Sequence, residues 1–112
     1  MQKKISFEIF PPKKTEALEN IDTLLQELCK HKPEYISVTY GAGGTGGKNT
    51  TLEIAQKIKE KYSTQSMVHV TCLHQTQTDI SSLCDQFSRA GIKNILALRG
   101  DRQEGTKECK DF

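Results

Sequence analysis

The sequence predicts an α/β protein built on one parallel sheet, and two observations carry this prediction. Short runs rich in β-branched and aromatic residues recur along the chain, each with the length of a strand: residues 5–10, 35–40, 68–73 and 95–98. Between them, apolar residues repeat with helical spacing at Leu18 to Leu28, Leu52 to Ile58 and Ile80 to Phe87. Strands that alternate with helices pair in parallel through right-handed crossovers, so we expect helices packed on the sheet.

Local signals mark the ends of the predicted helices. Thr50 and Glu53 have the spacing of a capping box, and Thr76 and Asp79 form a weaker version of it. Gly91 follows the third helical segment, where a glycine can close a helix.

The two faces of the predicted strands differ in polarity. One face is apolar throughout and carries Ile5, Phe7, Ile9, Ile36, Val38, Val68, Val70, Cys72, Leu96 and Leu98. The other has polar residues in every strand and carries Ser6, Glu8, Ser37, Thr39, His69, Thr71, Ile95, Ala97 and Arg99. A sheet covered by helices on both sides would be apolar on both faces, whereas barrel strands pack outward on helices and line a polar site inward.

This polarity predicts the first half of a (β/α)8 TIM barrel, with four parallel strands alternating with three helices. Eight such units take about 250 residues, whereas this chain has 112. We therefore expect residues 1–112 to form a single partial barrel domain, truncated after its fourth strand.

Composition excludes several classes of protein. A formal net charge of +2 gives no field for holding nucleic acid. Apolar runs stay well below the ~20 residues of a membrane span, so we expect a cytoplasmic protein that does not enter the membrane. The cysteines lack zinc-ligand spacing, which predicts no metal site and free thiols, with Cys72 and Cys84 on apolar faces.

A glycine-rich loop follows the second strand. Residues 41–46 satisfy the GxGxxG pattern of dinucleotide sites, but the next strand ends Cys72-Leu73-His74 without the acidic residue that would hold a ribose. Ligand binding and a plain flexible loop both remain open on this motif.

Three further positions are candidates for chemistry. Glu8 lies within an apolar strand, which suits a general acid, although a structural ion pair with Arg99 or Lys13 explains it equally well. His69 lies on the polar face, as either a site residue or a hydrogen-bonded core histidine. Arg99-Gly100-Asp101 ends the last strand, where barrel sites lie, and combines a phosphate-binding fork with a carboxylate.

Four segments of the sequence resemble one known family, the methylenetetrahydrofolate reductases, in order and in spacing. They are residues 6–13 (SFEIFPPK), 37–44 (SVTYGAGG), 69–72 (HVTC) and 94–101 (NILALRGD). Ile9 stands where the family usually has Phe, residues 46–48 replace a stretch that often carries Arg, and Arg102 stands where Pro often follows.

The resemblance implies a (β/α)8 barrel that binds FAD at the carboxyl ends of its strands. NADH or NADPH would reduce the flavin, which would then reduce 5,10-methylenetetrahydrofolate to 5-methyltetrahydrofolate. By motif, Glu8 would be the general acid and Asp101 a catalytic residue beside the flavin and the pterin. The resemblance also implies cofactor contacts from Thr39, Tyr40, Ala42, His69, Arg99, Gly100 and Asp101.

The resemblance further implies a homo-oligomer for a full-length family member. A chain of this length would hold an incomplete site, so we expect it to be inactive alone. The alternative is a non-catalytic α/β binding or assembly module derived from the same barrel.

Overall fold

A computed structural model describes residues 3–12, 20–40, 47–73 and 75–100 of the chain. Four strands and three helices alternate in these ranges. In chain order they are β1 (Ser6–Ile9), α1 (Ile21–Cys29), β2 (Tyr35–Val38), α2 (Gly47–Tyr62), β3 (Gln65–Thr71), α3 (Gln77–Arg89) and β4 (Asn94–Leu98).

The strands form one sheet in the order β1-β2-β3-β4, and every neighbouring pair is parallel. Consecutive strands are therefore also neighbours in space, as a chain of right-handed βαβ units requires. The predicted α/β class, with four parallel strands and three helices, is confirmed.

The core lies between the helices and one face of the sheet. Its strand residues are Ile9, Ile36, Val38, Val68 and Val70, and the register places them on a single face. The helices cover that face with Ile21, Leu25, Ile54, Ala55, Ile58, Leu83 and Phe87. The apolar face predicted for the first three strands is thus the face that packs on the helices, and the polar face points away from them.

Helix α3 begins and ends as its sequence predicts. The Thr76 hydroxyl accepts from the backbone N–H of Asp79 at 3.1 Å, and the Asp79 carboxylate accepts from the backbone N–H of Thr76 at 3.0 Å. At the other end, Gly91 has φ +80°, and the next residue, Ile92, donates its N–H to the Phe87 carbonyl at 2.9 Å. These bonds make a capping box and a Schellman motif, so both ends of α3 are confirmed.

Two local predictions are wrong. Helix α2 begins at Gly47, so Thr50 lies inside the helix and cannot be its N-cap. The prediction placed the start of this helix at the first residue of its apolar stripe. The helix in fact begins earlier in the chain. Cys84 is exposed and is not on an apolar face, because α3 directs Leu83 and Phe87 to the core.

The faces of β4 are the reverse of the prediction. The register pairs Ile95 with Val68 and Ala97 with Val70, so these two residues lie on the helix-packed face. Leu96 pairs with His69, which puts it on the open face. Because β4 is apolar at successive positions, its sequence has no alternation from which its orientation could be predicted.

Candidate functional site

The candidate site lies on the open face of the sheet, which points away from the helices. The register pairs Glu8 of β1 with Ser37 of β2, and Ser37 with Met67 of β3. His69 follows two residues after Met67 and therefore lies on the same face. The prediction that these polar residues share a face is confirmed for β1, β2 and β3.

Glu8 and His69 are brought together by this arrangement. The Oε1 atom of Glu8 lies 3.6 Å from Nε2 of His69. Their surroundings differ, because the His69 side chain is 6% exposed and that of Glu8 is 52% exposed. The carboxyl group of Glu8 is thus open to solvent, although its neighbours in the sequence are apolar. This is possible because alternate residues of β1 point to opposite faces of the sheet.

Nε2 of His69 is a buried polar atom without a hydrogen-bond partner among the residues that the structure describes. Unsatisfied buried nitrogens are rare in native proteins and often belong to functional sites. Among the residues that the structure describes, Nε2 of His69 thus lacks the hydrogen bond expected of a core histidine, and the role of His69 stays a prediction.

Ser37 lies beside Glu8 on the open face of the sheet. It stands on β2, between β1 and β3, and it is buried. The sequence did not single out Ser37 as a site residue, because its pairing with Glu8 depends on the register.

The end of β2 is held against the start of α2. The backbone N–H of Thr39 donates to the Ile9 carbonyl at 3.0 Å, and the Thr39 carbonyl accepts from the buried Thr51 hydroxyl at 3.0 Å. Tyr40 follows and is partly buried, and this burial raises the pKa of its phenol, with the Asp79 carboxylate adding to the effect. The phenol of Tyr40 therefore stays protonated and can donate a hydrogen bond.

The carboxyl ends of β3 and β4 lie close together. The backbone N–H of Leu73 donates to the Arg99 carbonyl at 2.8 Å, which continues the ladder beyond the paired strands. Gly100 has φ +91°, and a Cβ atom there would lie 3.1 Å from the Cβ of Thr71. Glycine is thus the residue that fits this close approach.

Arg99 is not brought to Glu8. It follows Ile95 and Ala97 in the alternation of β4, which carries it toward the helix-packed face. No salt bridge joins Arg99 to Glu8, although the structure describes both residues. The ion pair that the sequence allowed between them is therefore wrong.

Other predicted site residues lie outside the described residues. These are Lys13, Ala42 with the rest of the glycine-rich loop at 41–46, and Asp101. Their contacts with Glu8 and with the strand ends stay predictions.

In the part of the chain that the structure describes, no group of His, Cys, Asp and Glu side chains is arranged to hold a metal ion. Cys29, Cys72 and Cys84 are free thiols. None of the described helices is both long and apolar enough to cross a membrane.

The fold and site define an α/β domain with a carboxyl–imidazole pair on the open face of its parallel sheet. The chain belongs to the methylenetetrahydrofolate reductase family, whose model matches residues 1–111.

Named relatives agree with this membership. The chain is 37% identical over 100 residues to methylenetetrahydrofolate reductase (NADH) 1 of Zea mays, which covers 89% of this chain and 17% of the maize protein. It is 36% identical over 104 residues to the 5,10-methylenetetrahydrofolate reductase of Pectobacterium carotovorum, covering 92% of this chain and 35% of that protein. The Escherichia coli protein of the same name is 33% identical over 105 residues, with 94% and 35% covered. The chain thus spans between about a sixth and about a third of the length of these relatives.

Proposed function

We propose that this chain forms part of an enzyme that reduces 5,10-methylenetetrahydrofolate to 5-methyltetrahydrofolate, with FAD as cofactor and NADH or NADPH as reductant. The observation that carries the proposal is the position of Glu8, on the open face and 3.6 Å from the buried imidazole of His69. Family membership supports the reaction, since the bacterial relatives are named for this folate substrate and the maize relative is named for NADH as well.

Glu8 acts as the general acid in this proposal. Its proton passes to a ring nitrogen of the folate, the adjacent carbon–nitrogen bond breaks with its electron pair going to that nitrogen, and a reducible iminium results. A half-exposed carboxyl group on the open face can both meet a substrate and regain its proton from solvent. Asp101 is the second proposed catalytic residue, beside the flavin and the pterin, and the resemblance of residues 94–101 to the family supports this role.

The donors at the strand ends fit a flavin. The hydroxyl of Thr39, the protonated phenol of Tyr40 and the imidazole of His69 suit the polar edge of a ring system. The Arg99 guanidinium suits phosphate oxygens, and the backbone at Gly100 permits close approach because no Cβ is present. When bound, the flavin supplies the hydride, and these residues hold and orient it. Ala42 and Asp101 complete the proposed set of cofactor contacts.

The site is proposed to be incomplete within these 112 residues. Four parallel strands make half of a (β/α)8 barrel, and the relatives are about three to six times as long as the region they share with this chain. We therefore expect the chain alone to be inactive and to need the remaining strands. A cytoplasmic location and assembly into a homo-oligomer belong to the same proposal.

Substitution of Glu8 with Gln tests the proposed reaction. The experiment uses flavin-loaded protein that contains this chain with the remaining strands, and it follows two half-reactions separately. Loss of the general acid is expected to slow folate reduction about 100-fold or more, while reduction of the flavin by NADH or NADPH continues. Glu53→Gln is the matched control, because Glu53 is an exposed glutamate on α2 away from the open face.

An unchanged rate of folate reduction in the Glu8→Gln protein would contradict the proposal. It would favour the alternative, a non-catalytic binding or assembly module that keeps the strands of the family without its chemistry. Flavin absorbance of the purified protein then separates a cofactor-binding module from one that binds none.

A further inference from the structure

We propose that His69 is a positioning residue for Glu8, whose carboxyl group it holds by donating a hydrogen bond from Nε2–H. This inference rests on the proposed function, because it assigns His69 a task in the proton transfer by Glu8. It goes beyond contact with a cofactor, since the effect of His69 would pass through Glu8.

The first argument is that one nitrogen of the imidazole lacks a hydrogen-bond partner among the described residues. This atom, Nε2 of His69, is buried, and a buried polar atom that is left unsatisfied destabilises the fold. Glu8 is the one acidic residue of the described ranges within salt-bridge distance of His69, at 3.6 Å between Nε2 and Oε1. A carboxyl oxygen is therefore the acceptor that the structure offers to this nitrogen.

The second argument is the difference in freedom between the two side chains. His69 is held in place by its burial, whereas the Glu8 side chain is 52% exposed and can turn. A movement of less than about 1 Å would bring the atoms to the 2.7–2.9 Å of a charge-assisted hydrogen bond. Catalytic hydrogen bonds are often long before substrate binds and shorten in the complex.

The third argument concerns the described neighbours of the pair on the open face. In the register, Ser37 lies beside Glu8, Met67 beside Ser37 and Leu96 beside His69. All three are uncharged. Within the part of the chain that the structure describes, these neighbours therefore offer His69 no charged partner in competition with Glu8.

The chemical consequence follows from the charge that develops on Glu8. As the carboxyl gives its proton to the folate nitrogen it becomes a carboxylate, and a hydrogen bond to a carboxylate is stronger than one to the neutral acid. An Nε2–H donor therefore stabilises the transition state more than the ground state. His69 keeps its own proton throughout, so the proton balance of the reaction is unchanged.

Two substitutions at one position separate this role from packing. Gln at position 69 places an amide N–H near the location of Nε2, whereas Asn places its amide near the location of Nδ1, out of reach of Glu8. In the flavin-loaded protein with its remaining strands, His69→Asn is expected to lower kcat for folate reduction about 10- to 100-fold, the cost of a hydrogen bond to a charged group. His69→Gln is expected to restore most of that loss, with KM changing less than kcat in both.

A double-mutant cycle tests whether His69 acts through Glu8. In a Glu8→Gln background, His69→Asn is expected to cause little further loss of kcat, because the group it positions is already gone. Equal losses from His69→Asn and His69→Gln would overturn the inference. The inference would also be overturned if the fold losses in kcat from Glu8→Gln and from His69→Asn simply multiply in the double variant.

Nitrogen NMR gives a readout that does not depend on activity. In the flavin-loaded protein with its remaining strands, the His69→Gln variant identifies the ¹⁵N signals of His69, because those signals are missing from its spectrum. At mildly alkaline pH we expect Nε2 of His69 to carry the proton, with a shift that changes in Glu8→Gln and stays constant in the Glu53→Gln control. The inference would be overturned if Nε2 of His69 carries no proton, or if its chemical shift is the same in Glu8→Gln as in the parent, even if folate reduction is observed. Failure of the unsubstituted protein to reduce folate would instead overturn the proposed function.

Discussion

At Gly100 the backbone adopts a conformation that a side chain would disturb in two ways. Its φ of +91° lies in the region that favours glycine, and an added Cβ would lie 3.1 Å from the Cβ of Thr71. Gly100→Ala is therefore expected to lower the free energy of unfolding by about 1–3 kcal/mol, as measured by urea denaturation. In a Thr71→Gly background, which removes both the Cβ and the Cγ2 that the new side chain would meet, the steric part should disappear while the backbone part remains, so the loss should be smaller. A Gly100→Ala protein as stable as the parent would show that the end of β4 relaxes freely.

Residue types alone predicted part of the site, and the register supplied the rest. Glu8 and His69 could be placed on one face from the alternation within their own strands. That their side chains meet could not be predicted, because the pairing of strands depends on contacts between distant parts of the chain. The ion pair of Glu8 with Arg99, one of the alternatives that the sequence left open, failed for the same reason, since it assumed an orientation of β4 that differs from the observed one.

Helices α1 and α2 are joined by a cluster of polar contacts around Asp22. Its carboxylate accepts from Nζ of Lys61 at 3.0 Å, from Nζ of Lys57 at 3.2 Å and from the hydroxyl of Tyr62 at 3.0 Å. The hydrogen bond from Lys61, followed by those from Lys57 and Tyr62, lowers the pKa of Asp22 from 3.8 to about 2. The charged form of this carboxylate is thus favoured by folding.

The lowered pKa of Asp22 predicts how stability depends on pH. A carboxylate with a lower pKa in the folded state stabilises the fold above its unfolded pKa, and this contribution is lost as pH falls through the folded value. Asp22→Asn should therefore reduce the thermal midpoint at neutral pH, and the difference from the parent should shrink between about pH 4 and pH 2. Asp85→Asn, an exposed position on α3, is the control. A difference that persists unchanged at pH 2 would mean that Asp22 acts by packing and not by charge.

Element prediction succeeded where local and long-range signals agreed. In α3 the apolar stripe, the capping box and the closing glycine all indicate the same helix, and its bounds follow from them. In α2 the apparent capping box at Thr50 lies within the helix, which starts earlier at Gly47. The Thr51 hydroxyl binds the Thr39 carbonyl instead, a tertiary contact that a local motif cannot reveal.

At the scale of the whole molecule, the outer strands of the sheet are the part of the fold that favours pairing with further strands. Within the part of the chain that the structure describes, β1 and β4 are the outer strands. Along β4, apolar side chains are exposed on both faces, with Ile95 at 39%, Leu96 at 41% and Leu98 at 39%. Exposed apolar edge strands favour pairing with further strands. This pattern supports the proposed half-barrel, whose closure stays a prediction.

The 112-residue chain studied by itself is therefore expected to associate through its edges. Light scattering during size-exclusion chromatography should give a mass that rises with concentration, and the double substitution Leu96→Lys, Leu98→Lys should lower it. Leu24→Lys is the matched control, because Leu24 is similarly exposed at 42% but lies on helix α1, away from the sheet edge. In protein that carries the remaining strands, the same pair of lysines should instead destabilise the fold, since the barrel interior would then bury their charges. A chain that stays monomeric at every concentration would show that these leucines are covered in some other way.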